Sequence, residues 1–322
     1  MPLFNREAVC LIFTDRVIRY LVFSSRKSVQ VTDFGEIIFD HSIIEDGRII
    51  DQLQLTTTLK QLIEQKNWKR HKISFIVPDS FVTLREEQIP AQLDKEEAKS
   101  FIKLQLDGSI RLPFKNPILD FQVLEEGVEH HRVLLFAYPS DRLLPYYDLF
   151  EKLTLQPKVA DLSFLSLYRS YLKADLSEPH EHLLVIQWNI NDLILTVFNE
   201  DIPRFNRHMR FAGSRLNWKK DPQTQQLSWQ SSQADLSAFV EDQLLSIERF
   251  MDFYQYSIMN GEAQITSCLV VGDFPELELI YQQLSKRFEL TPKSLNLPFK
   301  LPMAYAPLFG LCLKNENFTD KS

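Results

Sequence analysis

The sequence predicts an α/β protein built as two lobes facing each other across a cleft, and three observations carry that expectation. A run of three short strands, a helix and a further strand occurs before residue 80 and again after residue 180. The chain has 322 residues, enough for two domains or one large bilobal unit. Hydrophobic residues make up 44% and charged residues 25%, which is material for a core in each lobe.

The first copy begins with apolar runs at 9–13 and 17–23, parted by the polar turn 14–16, and a third strand at 29–39 around Gly35. Leu53, Leu59, Leu62 and Ile63 recur near helical spacing within 49–68, and 71–77 reads as a strand ended by Pro78. In the second copy, strands at 183–188 and 193–198 flank the polar turn 189–192, and a third surrounds 205–211. Leu236, Val240, Leu244, Ile247, Met251, Tyr254 and Ile258 recur in steps of three or four, predicting one helix over 235–258. A strand at 264–271, Gly272 and a helix at 275–288 follow, and the segment 174–181 with Pro179 crosses between the lobes.

Two stretches interrupt this repeat. Residues 79–139 form an insert in which Asp94 caps a helix with Glu97 three residues on, the spacing of a capping box. Residues 215–234 are rich in Gln, Ser and Lys and read as an exposed polar loop or hairpin with some disorder. The expected divisions are lobe I over 1–178, lobe II over 179–314 and a tail over 315–322.

The net charge of −7 argues against a nucleic-acid partner, since phosphate contacts need clustered Lys and Arg. The basic stretches at 66–72 and Lys219-Lys220 are short. The start of the sequence lacks the apolar run of a signal peptide, and nowhere do about 18 apolar residues run together. Cys10, Cys268 and Cys312 sit among apolar neighbours, as reduced core cysteines do. A cytosolic protein without direct membrane insertion is expected. Glycine numbers 8, against roughly 22 at average usage of about 7%. Phosphate-cradling loops depend on glycine, so the scarcity weighs against nucleotide chemistry. His130-His131 and His180/His182 have no ligand partners at metal-binding spacing, and no metal is expected. There is no G-x-S-x-G elbow, and the acidic run 125–129 reads as a hairpin tip.

Residues 77–105 (VPDSFVTLREEQIPAQLDKEEAKSFIKLQ) and 110–126 (IRLPFKNPILDFQVLEE) resemble the inserted subdomain of the PilM family of type IV pilus assembly proteins. Residues 132–171, the helix segment IERFMDFYQYS (247–257) and PLFGLCLK (307–314) are similar to later parts of that family. The resemblance spans nearly the whole chain, apart from 215–234 and the last eight residues. It implies a bilobal actin-like fold (a duplicated ribonuclease H-like fold) with an FtsA-like inserted subdomain in lobe I. It also implies binding of the N-terminal cytoplasmic peptide of a PilN-like bitopic inner-membrane protein, in a groove between the first lobe and the insert. A pilus motor ATPase is a further implied neighbour.

Nucleotide sites of that fold need a carboxylate and a glycine in the hairpin turn that opens each lobe, and a glycine turn against the adenosine. Aligned on the resemblance, Ile12 stands at the first carboxylate, Thr14 at the first glycine, and Asp15 and Arg16 follow. In the second turn Gln187 replaces the carboxylate and Asn189 the glycine, with Asn191 beyond, and only Gly272 keeps its place. The expected reading is a pseudo-ATPase with no cofactor; ATP with Mg²⁺, held by Arg16, Asn189, Asn191 and Gly272, is the disfavoured one. Partner-binding candidates are Leu112-Pro113-Phe114, a rigid apolar segment open to an extended peptide, and Arg85 on the preceding strand. The sequence thus points to a cytosolic scaffold of the pilus or competence-pilus platform, peripheral to the inner membrane. The rivals are a slow actin-like ATPase that switches assembly, and an FtsA-like polymer. The short polar tail NENFTDKS disfavours the polymer.

Overall fold

A computed structural model of the chain describes residues 7–25, 29–106, 108–211 and 217–316. Strands β1 (Ala8–Phe13), β2 (Val17–Ser25) and β3 (Val29–Ile38) form an antiparallel meander. The short ladder of β4 (Ile44–Glu45) and β5 (Arg48–Ile49) leads into α1 (Gln52–Lys66), and β6 (Lys72–Val77) runs parallel to β1. After β7 (Thr83–Pro90), α2 (Lys95–Gln105), β8 (Pro117–Glu125), β9 (His130–Pro139) and α3 (Ser140–Lys152), β10 (Gln156–Leu162) joins β6 in parallel and α4 (Ser163–Lys173) follows.

The second meander is β11 (Leu183–Trp188), β12 (Asp192–Asn199) and β13 (Ile202–Arg210). A hairpin of β14 (Trp218–Lys220) and β15 (Leu227–Trp229) precedes α5 (Gln233–Phe253), and β16 (Ser267–Val271) lies parallel to β11. Helix α6 (Leu277–Phe288), β17 (Pro292–Lys293) and α7 (Ala306–Glu316) complete the chain.

The two sheets have the orders β3-β2-β1-β6-β10 and β13-β12-β11-β16-β17, one topology used twice. The duplication extends to single backbone bonds. Thr14 N donates to Val17 O at 2.9 Å and Asn189 N to Asp192 O at 2.9 Å; Phe39 N donates to Arg16 O at 2.8 Å and Phe211 N to Asn191 O at 3.0 Å. Each lobe therefore opens with the same hairpin turn, although no equivalent position of the two turns carries the same residue.

Residues up to Asp79 and from Leu153 onward form one compact unit holding both sheets, and Ser80–Lys152 forms a second. The insert anticipated to close at 139 thus carries α3 as well. In this second unit the sheet order is β7-β9-β8, and α2 packs on one face through Ala98 and Ile102 against Ile89, Val133, Leu135 and Ala137. The Asp94–Glu97 capping box is present, with Asp94 accepting from Glu97 N at 2.9 Å. Residues 126–129 are the exposed tip between β8 and β9.

Three expectations need correction. Helix α1 buries Leu55, Leu59, Leu62 and Ile63, whereas Leu53 is 80% exposed. At about 100° per residue, Leu53 lies roughly 200° from Leu55 and faces away. The long helix over 235–258 stops being α-helical at Phe253 and widens into a π turn over Tyr254–Ile258, which seats the buried Tyr254 hydroxyl 2.6 Å from His182 Nδ1. The stretch 215–234, read as an exposed polar loop or hairpin, holds a β-hairpin that is not fully exposed: Trp218 and Leu227 are buried in the lobe II core, and Trp218 meets Trp229 and Phe274 edge-on. Its glutamines and serines cover an apolar underside. Residues 215–216 and tail residues 317–322 lie outside the described residues.

Helices α4 and α7 cross at Gly310. A Cβ there would stand 1.6 Å from the Ser166 carbonyl oxygen, and Ser170 Oγ donates to Ala306 O at 2.7 Å in the same contact. Gly310→Ala is expected to destabilise the chain by at least about 1–3 kcal/mol through overpacking, read as a lower midpoint in chemical denaturation.

Candidate functional site

The first-lobe turn spends its polar groups on the protein itself. Arg16 is 6% exposed, and its guanidinium donates to three backbone carbonyls: Phe39 O at 3.2 Å, Trp218 O at 2.7 Å and Asp40 O at 2.8 Å. Trp218 belongs to lobe II, so Arg16 ties the lobes together. Asp15 accepts Ile43 N at 2.8 Å through its carbonyl, and its carboxylate pairs with Arg210, which also reaches Asp46. Thr14 closes the hairpin through its amide and, at 3.3 Å, its hydroxyl. Ile12 packs against the core under α7.

The second-lobe turn is similarly committed. Asn189 Nδ2 donates to Asp192 Oδ1 at 2.8 Å, and the Asn191 carbonyl accepts Phe211 N. The amide of Ile190 donates to Asp273 Oδ1 at 2.8 Å, and Asp273 Oδ2 accepts from Arg19 Nη2 of lobe I at 2.9 Å. Arg19 Nε in turn donates to Glu36 at 2.9 Å. Both Arg19 and Asp273 side chains are 8% exposed, so this is a buried charge pair across the lobes. Gly272, the one glycine the alignment retains, has φ of +139° and lies so close to β11 that a Cβ would stand 2.0 Å from the Trp188 carbonyl oxygen. Close backbone packing accounts for this glycine without a nucleotide.

Gln187, at the second carboxylate position, is 3% exposed and accepts from Ser163 Oγ at 2.9 Å. Ser163 also bonds the carboxylate of Asp79 through both its hydroxyl and its amide. Burial, opposed by the Ser163 bonds and His208 and assisted by Asp192, pushes the Asp79 carboxyl up to about 7. On β13, burial works against the His208 charge, but the bond to Asp192 Oδ2 at 3.0 Å and the nearby Asp79 and Asp15 outweigh it, so its pKa is raised. Asp79, Ser163, Arg19 and His208 were not singled out from sequence. Arg19 and Asp273 are 254 positions apart and Asp79 and Ser163 are 84 apart, so no local spacing marks them.

The docking candidates are all in the second unit. Leu112 and Phe114 are half-buried against its core, Pro113 is exposed, and Arg85 Nη1 donates to Arg111 O at 3.0 Å. Arg85 also pairs with Glu87 at 3.0 Å. The structure therefore brings these four candidates together, with Arg85 holding the segment from its own strand.

No carboxylate stands at position 12 or 187, the Ile190 amide is already bonded to Asp273, and each nitrogen of the Arg16 guanidinium donates to a backbone carbonyl. Among the described residues, no group of three His, Cys, Asp or Glu is placed to hold a metal ion. Among the same residues, no helix is long and apolar enough to cross a membrane.

Two outcomes follow from this wiring. Asp273→Ala leaves the Ile190 amide and the Nη2 end of Arg19 without their partner, while Glu36 still pairs with Arg19 Nε, and is expected to cost about 1–3 kcal/mol of stability, measured by urea unfolding. As pH rises from about 4 to about 7, the folded chain keeps a proton on Asp79 that the unfolded chain has released. That contribution to stability is therefore complete at low pH and lost as pH approaches the raised value. Between pH 5 and pH 8 it amounts to about 2–3 kcal/mol. Asp79→Asn, which keeps the hydrogen-bonding pattern of the protonated acid, is expected to remove that loss when unfolding curves are compared at the two pH values.

Comparisons with known proteins agree with this architecture. The sequence profile of the family described as type IV pilus assembly protein PilM matches residues 14–301. A sequence search of curated proteins gives no match. Among solved structures, the fold is similar to a chain of a PilM-PilN type IV pilus biogenesis complex, with TM-score 0.75, 15% identity, and 97% of this chain and 99% of that one covered. It is also similar to the ethanolamine utilization protein EutJ from Carboxydothermus hydrogenoformans (TM-score 0.54, 9% identity, 97% and 91% covered). The ADP-bound MreB5 of Spiroplasma citri matches with TM-score 0.51, 10% identity and 99% of each chain covered. With the duplicated sheets, the inserted unit and the matched profile taken together, the chain has an actin-like fold and belongs to the type IV pilus assembly protein PilM family.

Proposed function

We propose that this chain is a non-catalytic docking scaffold of the type IV pilus assembly platform. It works at the cytoplasmic face of the inner membrane, where it takes the N-terminal cytoplasmic peptide of a PilN-like membrane protein. Family membership supports the pilus role, and the fold shared with a chain of a PilM-PilN complex supports the partner. The observation that carries the pseudo-ATPase reading is the Ile190 amide bonded to Asp273. A backbone group of the phosphate-cradling turn is thereby answered by a carboxylate of the same chain, whose charge repels phosphate. On this reading the peptide docks at the segment Leu112-Pro113-Phe114, stiffened by the Arg85 bond to Arg111 O.

Calorimetry on the whole chain tests both halves. ATP with Mg²⁺ is expected to give no binding heat up to ~1 mM, an affinity of only about 4 kcal/mol, whereas a synthetic PilN-type tail binds. A micromolar ATP site would overturn the pseudo-ATPase reading and bring a nucleotide-switched platform forward. Absence of tail binding at high micromolar peptide would overturn the scaffold reading.

A further inference from the structure

Three buried polar side chains meet where the lobes join, and their hydrogen atoms do not add up while the Asp79 carboxyl is ionised. Asp79 follows β6 of lobe I, Ser163 opens α4, and Gln187 lies on β11 of lobe II, at 4%, 4% and 3% exposure. Ser163 N donates to Asp79 Oδ1 at 2.9 Å. Ser163 Oγ lies within bonding distance of Asp79 Oδ2 and, at 2.9 Å, of Gln187 Oε1. A hydroxyl has one proton and cannot donate to two acceptors. Gln187 Nε2, meanwhile, is buried with no acceptor among the described residues.

We propose that Asp79, Ser163 and Gln187 form a proton-operated pin between the lobes, in which loss of one proton from Asp79 turns the Gln187 side-chain amide over. With the proton in place, Asp79 Oδ2–H donates to Ser163 Oγ, and Ser163 Oγ–H donates to Gln187 Oε1. Every bond in that chain has one donor and one acceptor, and Nε2 presents its N–H groups on the far side. When the proton leaves to solvent, Ser163 Oγ–H turns to the Asp79 carboxylate. Its lone pairs then face Gln187, and a carbonyl oxygen there is no longer a partner. Rotation of the amide restores the link, with Nε2 donating to Ser163 Oγ and Oε1 taking the outer position.

The surroundings set the switch near neutrality. His208 on β13 favours the ionised acid and Asp192 on β12 opposes it, while burial holds the carboxyl near 7. His208 is itself bonded to Asp192 and feels Asp15 from lobe I, so its own protonation reinforces the ionised state of Asp79. Gln187 occupies the position where the resemblance places a turn carboxylate. The lobe junction thus shows a hydrogen-bond donor at that point below the transition and an acceptor above it.

The test uses the whole chain, with infrared difference spectra of the protonated carboxyl band and ¹⁵N NMR of the Gln187 side-chain amide from about pH 5.5 to about pH 8.5, a window bracketing the carboxyl transition. The Gln187 signal, assigned by its loss in Gln187→Leu, is expected to shift with the same midpoint as the acid band. Asp79→Asn should abolish both changes. Ser163→Ala should leave Asp79 titrating while Gln187 no longer follows. A Gln187 signal that stays fixed while the acid band titrates would sink the proposal. So would an acid band already absent at the lowest pH, or a Gln187 that still follows pH in Ser163→Ala. If a variant does not fold, the paired wild-type titrations still decide.

Discussion

The carboxylate of Asp273 is the constraint around which the two lobes are arranged. It accepts the Ile190 amide within lobe II and the Arg19 guanidinium from lobe I, in a site that excludes most water. A buried charge is tolerated only when paired and hydrogen-bonded, so both partners must be held where they are. Holding Asp273 there requires the chain to leave β16 against β11, and Gly272 makes that approach possible by lacking a Cβ that would strike the Trp188 carbonyl. The Arg16 bond to Trp218 O and the Arg210 pair with Asp15 extend the same stitching. Polar groups that an actin-like nucleotide site would turn toward a ligand are here turned toward one another.

The duplicated sheets show how this was done without changing the frame. Both hairpin turns have the same closing backbone bonds, while the polar side chains of Asp15, Arg16, Asn189 and Asp192 bond to other groups of the chain. A junction crossed by the buried Arg19–Asp273 pair resists opening. The pin at Asp79 adds a contact whose hydrogen-bond direction depends on one proton. It gives the junction a point of adjustment that the permanently charged Arg19 pair lacks.

The second unit follows a similar economy on a smaller core. Leu112 and Phe114 are half-buried against that core and Pro113 is exposed, an arrangement that would hold the segment in place for the proposed peptide. Preorganisation of that kind reduces the entropy lost on binding. Arg85 holds the same segment through its bond to Arg111 O.

The sequence by itself determined the class of fold, the repeated strand order, the capping box at Asp94 and the absence of carboxylates at positions 12 and 187. These depend on residue type and short-range period, which are local. Tertiary structure alone decided that Trp218 and Leu227 are buried beneath a polar hairpin, that Leu53 faces outward, and that Arg16 is held by three carbonyls. It alone paired Arg19 with Asp273 and Asp79 with Ser163, residues separated by 254 and 84 positions. Burial and hydrogen-bond partnership are properties of the folded arrangement. A carboxylate in the sequence looks the same whether it will face water, a phosphate or a buried arginine, and only the packing of distant segments assigns it one of these.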